Sequence, residues 1–209
     1  MRAISPGYAN TNVAALYAAA SGGLLDGSES DGTNLLSPAD FSTVGTVDFS
    51  ITLNDAVAPD GTTTAARLLE TAATARHIIY GPGVSIAAGS SHVWSIYVKS
   101  ITRRYVQLSL FGSGPKVYAY YDLQTGSVTD SGVVSPSGGT AISSVMCEAA
   151  VNGFYKCSFT AILDGSSASP SMVVAGSDVA TYGAPLDSDS PSYAGNTSNG
   201  LYVWRPKAV

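Results

Sequence analysis

Charge is scarce in this chain. Lys, Arg, Asp and Glu make up only 12% of its 209 residues, about half the usual share of roughly 25%. Helix bundles and coiled coils spend those residues on exposed faces, so the scarcity argues against them. Disorder is disfavoured too, because 45% of the residues are hydrophobic and the net charge is only −5. No basic arm is present, so no nucleic-acid partner is expected. No apolar run is long enough to span a bilayer, and no membrane partner is expected. The start, Met1-Arg2-Ala3-Ile4-Ser5-Pro6, lacks the apolar stretch of a signal peptide, which predicts assembly in a cytoplasm. Two cysteines are too few for a disulfide scaffold or a four-cysteine zinc site.

Catalytic constellations are also scarce. His77 and His92 each sit in an apolar strand pattern and read as strand histidines. There is no Gly-x-Ser-x-Gly elbow and no His-Glu-x-x-His, and Gly81-x-Gly83 precedes no helix. Most carboxylates fall in turns. The stretch from Asp26 to Asp31 lacks the glycine and the bidentate glutamate of a calcium loop. Asp187 and Asp189 leave calcium open in a later loop. Glu70 and Glu148 lie in strand patterns, with no spacing that pairs them as glycosidase carboxylates. These absences predict a protein that is not an enzyme and carries no cofactor, and they assign no metal ligand.

What the chain does have is Gly, Ser, Thr and an unusual preference for tyrosine, with 12 Tyr against 5 Phe and 2 Trp. Residues 1–33 stand apart as an arm. Within them, residues 10–20 form the one good helix candidate, capped by Asn10 or Asn12 and stopped at Gly22-Gly23. Val13, Leu16 and Tyr17 share one face of it and are candidate anchoring residues. Residues 34–209 read as all β. Strands are predicted over 48–53, 65–71, 76–80, 92–99, 105–111, 116–123, 142–151, 154–163, 171–175 and 201–204, with Gly/Pro/Asn/Asp turns between them. This spacing predicts a sandwich, and residues 176–200 read as a long loop.

Strand parity sharpens the picture. Trp94, Ile96 and Val98 alternate on one face, as do Val106, Leu108 and Leu110. Pairing the two sets in a hairpin turns all six inward. Tyr97, Tyr105, Tyr118 and Tyr120 then share the outward face, as a subunit contact or a sugar platform. A strict two-residue turn at Asn152-Gly153 would put Glu148 opposite Cys157 on the apolar side. Pairing Ala149 with Tyr155, Cys147 with Cys157 and Val145 with Phe159 avoids that cost. It requires a longer loop, with a bulge, and makes the two thiols reduced neighbours.

Several segments, in order, resemble a known family. They are Asn34-Leu35-Leu36, residues 58–68 (APDGTTTAARL), 93–99 (VWSIYVK), 121–128 (YDLQTGSV), 152–158 (NGFYKCS) and 200–204 (GLYVW). The set is similar to the carbohydrate-binding-module-like jelly-roll domains of tailed-bacteriophage virion proteins: head fibres, capsid decorations and tail fibres. Members continue past the last strand with Gly and acidic residues, whereas this chain runs Arg205-Pro206-Lys207-Ala208-Val209. The resemblance implies a jelly-roll β-sandwich at 34–209 carried on an N-terminal arm at 1–33. It implies a virion surface protein, foremost a capsid decoration or head fibre. Its partners would be capsid or tail proteins and copies of itself, as a homotrimer. The alternatives are a glycan-binding module of a tail fibre, with a host glycan as partner, and a polysaccharide lyase or hydrolase. No catalytic residue is implied.

Overall fold

The computed structural model describes residues 33–36, 41–42, 44–111, 115–134, 139–164, 171–185 and 192–209. All of them belong to the unit Asp31–Val209. The predicted helix over 10–20, with Val13, Leu16 and Tyr17, lies outside the described residues, as do Asp187 and Asp189.

The fold is all β, a jelly-roll-like sandwich of two six-stranded antiparallel sheets. The first sheet runs β1 (Gly45–Val47), β5 (Ile78–Gly83), β12 (Ser171–Ser177), β7 (Tyr105–Phe111), β8 (Lys116–Asp122) and β9 (Ser127–Val134). The second runs β10 (Ala141–Ala149), β11 (Tyr155–Ile162), β6 (Ser91–Ser100), β14 (Gly200–Ala208), β3 (Ala65–Glu70) and β2 (Phe49–Ala56). A short ribbon joins β4 (Thr74–Ala75) to β13 (Tyr193–Ala194). Each predicted strand is present. β9 escaped prediction because Ser127-Val128-Thr129-Asp130-Ser131-Gly132 is polar and its strand lies at a sheet edge.

One predicted pairing is corrected. β6 does not hydrogen-bond β7. It pairs with β11 and β14, while β7 pairs with β8 and β12. The six inward residues are all buried, but they face each other across the sandwich. Alternation reports which face a residue occupies and does not say which strand lies beside it. The connection over residues 101–104 therefore crosses between sheets.

The core is rich in large aromatic rings, with Trp94, Phe159 and Tyr121 fully buried. Tyr121 sits in the first sheet and donates its hydroxyl across the core to the Ser158 carbonyl of the second, at 2.9 Å. Removing Phe159 to Ala would cost about 3–5 kcal/mol by cavity formation. The cysteine hairpin has the expected register: Ala149 opposite Tyr155 and Cys147 opposite Cys157. The sulfurs are free and 3.9 Å apart. The longer turn is there, with Asn152 and Gly153 at φ of 58° and 75°. The third predicted pair, Val145 with Phe159, is not formed as a regular pair: it falls in a bulge between Ser143 and Met146, and the extra residue shifts the alternation so that Ile142 as well as Val145 packs on the core.

Candidate functional site

The crossover after β6 decides where the tyrosines go. Tyr97 faces outward on the second sheet, while Tyr105, Tyr118 and Tyr120 face outward on the first. The four therefore do not form one surface.

On the first sheet the chain covers its own tyrosines. Residues 178–185 lie over that face. The Ala184 carbonyl accepts from Tyr120 Oη at 2.7 Å and from Gln107 Nε2 at 3.2 Å. Thr129 Oγ1 donates to the Ala180 carbonyl, and Thr181 Oγ1 to Asp130, each at 2.5 Å. Tyr118 and Tyr120 meet edge to face at 5.9 Å and join Ile78, Val173 and Ala175 in a small second core. Tyr120 is 0% exposed, and burial raises its phenol far above the ordinary value. Tyr105 is half-buried, with the Arg104 guanidinium over its ring at 5.0 Å. Arg104 in turn grips Asp122 with two hydrogen bonds, which hold that carboxyl far below the usual range. No stack of open rings remains here among the described residues.

On the second sheet an aromatic face is built by β6 and β14. Leu201 and Val203 point into the core, so Tyr202 and Trp204 point out. Trp204 stands opposite Tyr97, with ring centroids 5.2 Å apart. The Trp204 indole donates to Thr64 Oγ1 at 3.0 Å. Thr64 and Thr62 hydroxyls are 2.6 Å apart, and Thr62 gives its proton to Asp60 at 2.7 Å. Each hydroxyl has one proton, so Thr64 donates to Thr62, and the chain of donors ends on the carboxylate. The loop over residues 57–64 is held by this relay and by Asn152, whose amide donates to the Ala58 carbonyl at 2.8 Å. Phe154 and Ala58 are buried beneath it.

Beside Trp204 the sheet opens. β3 pairs with β14 only as far as Val203. β2 bulges between Thr52 and Ala56, with Asn54 at φ 54°. β14 bulges between Trp204 and Lys207, with Arg205 at φ 49°. The bulge lets the strand pass Pro206 and continue to Ala208, where the sequence predicted an end. Asn34 replaces the missing neighbour: its side chain donates to the Pro206 carbonyl at 3.0 Å and accepts from Ala208 N–H at 2.9 Å. The gap is a cleft of about 360 Å³ lined by Phe41, Leu53, Asn54, Thr64, Trp204 and Arg205. Arg205 sets its guanidinium over the Trp204 ring at 5.6 Å.

Trp204 and Arg205 were not among the sequence-predicted site residues. The parity test used on the other strands finds Trp204 directly, because Leu201 and Val203 alternate with Tyr202 and Trp204. Arg205 belongs to a bulge, which alternation cannot show.

A second polar cluster lies at the end of β3. Glu70 is buried and accepts from Arg103 Nε at 2.5 Å, Arg103 Nη2 at 2.8 Å, Tyr193 Oη at 2.9 Å and Asn196 N–H at 3.1 Å. Burial alone would raise its carboxyl. The donors outweigh that and hold it below the ordinary value. His77 stacks on Tyr193 at 4.7 Å, and Gly195 packs so close that a Cβ there would lie 2.3 Å from His77 Nε2. Every lone pair facing Arg103 is used, so the cluster pins the β4–β13 ribbon. Glu70 and Glu148 are not brought together: β11, β6 and β14 lie between their strands. No group of three or more metal-ligating side chains occurs among the described residues. No described helix is long and apolar enough to cross a membrane.

No family model and no curated protein matches the chain. Among solved structures it is similar to the enzymatically active domain of tailspike protein 4 of bacteriophage CBA120, at 11% identity and a TM-score of 0.47. The alignment covers 84% of this chain and 21% of that one, so the chain spans about a fifth of its length. The expectation that the protein is not an enzyme is corrected here, because the domain it resembles is an active one. At this level of likeness no active-site residue transfers.

Proposed function

We propose that the protein is a bacteriophage virion surface protein whose sandwich contacts glycan through the outer face of the second sheet. The ordered segments over residues 34–205 support the virion assignment. The glycan contact is carried by one observation: Trp204, fixed by Thr64 and beside Tyr97, borders a cleft large enough for a small ligand. Sugar rings stack on such rings, and Asn54 and Thr64 supply hydrogen bonds at the rim. A glycan-contacting face favours a head fibre or tail fibre over a decoration that touches capsid alone. Residues 1–33 attach the sandwich to other virion proteins, and the chain associates with itself, as a trimer.

A second reading, in which this face packs on another virion subunit, draws on the exposed Leu53, Val57 and Met146. Binding of the full chain to immobilised host-surface polysaccharide separates the two. Under the glycan reading, Tyr97→Ala and Trp204→Ala each weaken binding roughly tenfold and leave the oligomer intact. Under the packing reading, they yield monomers and polysaccharide is not bound.

A further inference from the structure

The chain's two cysteines, Cys147 and Cys157, meet at the edge of the second sheet. β10 is the outermost strand there and pairs with β11. The Ala150 N–H donates to the Phe154 carbonyl at 2.8 Å, which makes those two residues a hydrogen-bonded pair. Hydrogen-bonded and non-hydrogen-bonded pairs alternate along an antiparallel ladder, and the register is regular from Ala149 to Met146. Cys147 and Cys157, three rungs from Ala150 and Phe154, are therefore a non-hydrogen-bonded pair. In such a pair the Cα atoms lie about 4.5 Å apart, within the roughly 4.4–6.8 Å that a disulfide bridges. Both side chains lie on the core side of the sheet, with their sulfurs 3.9 Å apart. Cys157 is fully buried, while Cys147 is half-buried on the edge strand, within reach of a solute.

We infer that Cys147 and Cys157 form a site of reversible oxidation, at which a cross-strand disulfide locks β10 onto β11 when the protein meets a small-molecule disulfide such as oxidised glutathione. The site stands apart from the glycan reading. The Cys147 thiolate attacks one sulfur of the small disulfide, forms a mixed disulfide and expels one thiolate. Cys157 then gives up its proton, attacks Cys147 Sγ and expels the second thiolate. Two protein thiols are oxidised, one small disulfide is reduced to two thiols, and the two protons end on those thiols. Position sets the order, because the buried Cys157 cannot be reached from outside. The lowered Cys147 thiol and the raised Cys157 thiol act in the same direction. The fold does not depend on the link, since the register forms with both thiols free. The link adds a constraint at a weakly held place: β10 is bulged, is exposed on its outer side, and has a paired strand on one side only among the described residues. In a reducing compartment the bond stays open, and in oxidising surroundings it closes.

The test is incubation of the native full-length protein in glutathione buffers stepped from fully reduced to fully oxidised, read by thiol counting, intact mass and non-reducing peptide mapping. The expected product is a single chain lighter by two hydrogens, without free thiols, whose map contains a peptide pair joined through Cys147 and Cys157. A reductant should restore both thiols. Oxidation should raise the melting temperature by about 5–10 °C and slow amide exchange in β10. Cys147→Ser and Cys147→Ala, which leave the buried partner in place, should show neither change on oxidation. A mixed disulfide that persists on Cys147, thiols that stay free in the oxidised buffer, a link between two chains, or closure only in denaturant overturns the assignment. A link that forms without raising the melting temperature overturns the lock.

Discussion

Trp204 and Tyr97 stand opposite each other on adjacent strands, their ring centroids 5.2 Å apart, and Thr64 holds the indole from the far side. The arrangement depends on residues distant in sequence. Asp60, Thr62 and Thr64 position the indole, and Asn34 supports the bulge that follows it. Thr64→Val removes the acceptor of the indole N–H and the donor to Thr62. We expect a loss of about 1 kcal/mol in stability and a several-fold loss in polysaccharide affinity. Urea unfolding and a binding isotherm on the same preparation measure the two.

Asn34→Ala should act on the cleft through the bulge. It leaves the Pro206 carbonyl and the Ala208 N–H without their partner, a cost of about 1–3 kcal/mol. Amide exchange at Ala208 should speed up, and affinity should fall although Asn34 does not line the cleft. Unchanged exchange at Ala208 would mean that the bulge stands without it.

Glu70 and Asp122 give the fold an acid-sensitive edge. Both carboxyls are held below their ordinary values, Glu70 mainly by Arg103 against the opposing effect of burial, Asp122 mainly by Arg104. A depressed carboxyl contributes stability that is present above its unfolded value and lost as pH falls through the folded one. The melting temperature should therefore hold at neutral pH and decline below about pH 4.5, the ordinary value for glutamate. Glu70→Gln should flatten part of that decline and cost about 3–5 kcal/mol at pH 7, because Arg103 is left without its counter-charge. Buried Tyr120 and Tyr193 are shifted the other way, so stability should also fall as pH rises past their ordinary value of 10.0.

Tyr120→Phe tests how residues 178–185 are held. It removes the 2.7 Å bond to the Ala184 carbonyl and keeps the ring in its small core. Global stability should drop by about 1 kcal/mol, and limited proteolysis within 178–185 should accelerate. An unchanged cleavage rate would show that the other contacts suffice.

Cys147 and Cys157 should differ in reactivity. Burial pushes the Cys157 thiol well above its ordinary value, while the hydrogen bond from Cys157 lowers that of Cys147. A thiol reagent should label half-buried Cys147 in the native protein and Cys157 only after unfolding. Equal labelling of both would contradict the packing of β10 on β11.

Much of the sandwich was legible in the sequence. Alternation identified Trp94, Ile96, Val98, Val106, Leu108 and Leu110 as core, and apolar consistency chose the register that sets Cys147 against Cys157. Pairing between β6 and β7 was not legible, because two strands facing across a core and two strands side by side have the same alternation. That error put Tyr97 with Tyr105, Tyr118 and Tyr120. The cover over Tyr118 and Tyr120 comes from a polar stretch read as loop, and polarity does not say where a loop lies. Of the site, the outward set of β14 was readable by parity, whereas the bulges at Asn54 and Arg205 that open the cleft were not.

The central claim concerns Trp204, and the chain supplies its own reporter. It has two tryptophans; Trp94 is fully buried, and Trp204 borders the cleft. Titrating polysaccharide while following tryptophan emission reads the site directly. We predict a saturable change in emission with the bound glycan, and protection of Trp204 from a soluble quencher. Both should be absent in Trp204→Phe, whose remaining emission comes from Trp94. An emission that stays constant while the glycan demonstrably binds, or a response that survives in Trp204→Phe, would place the contact elsewhere and contradict the account.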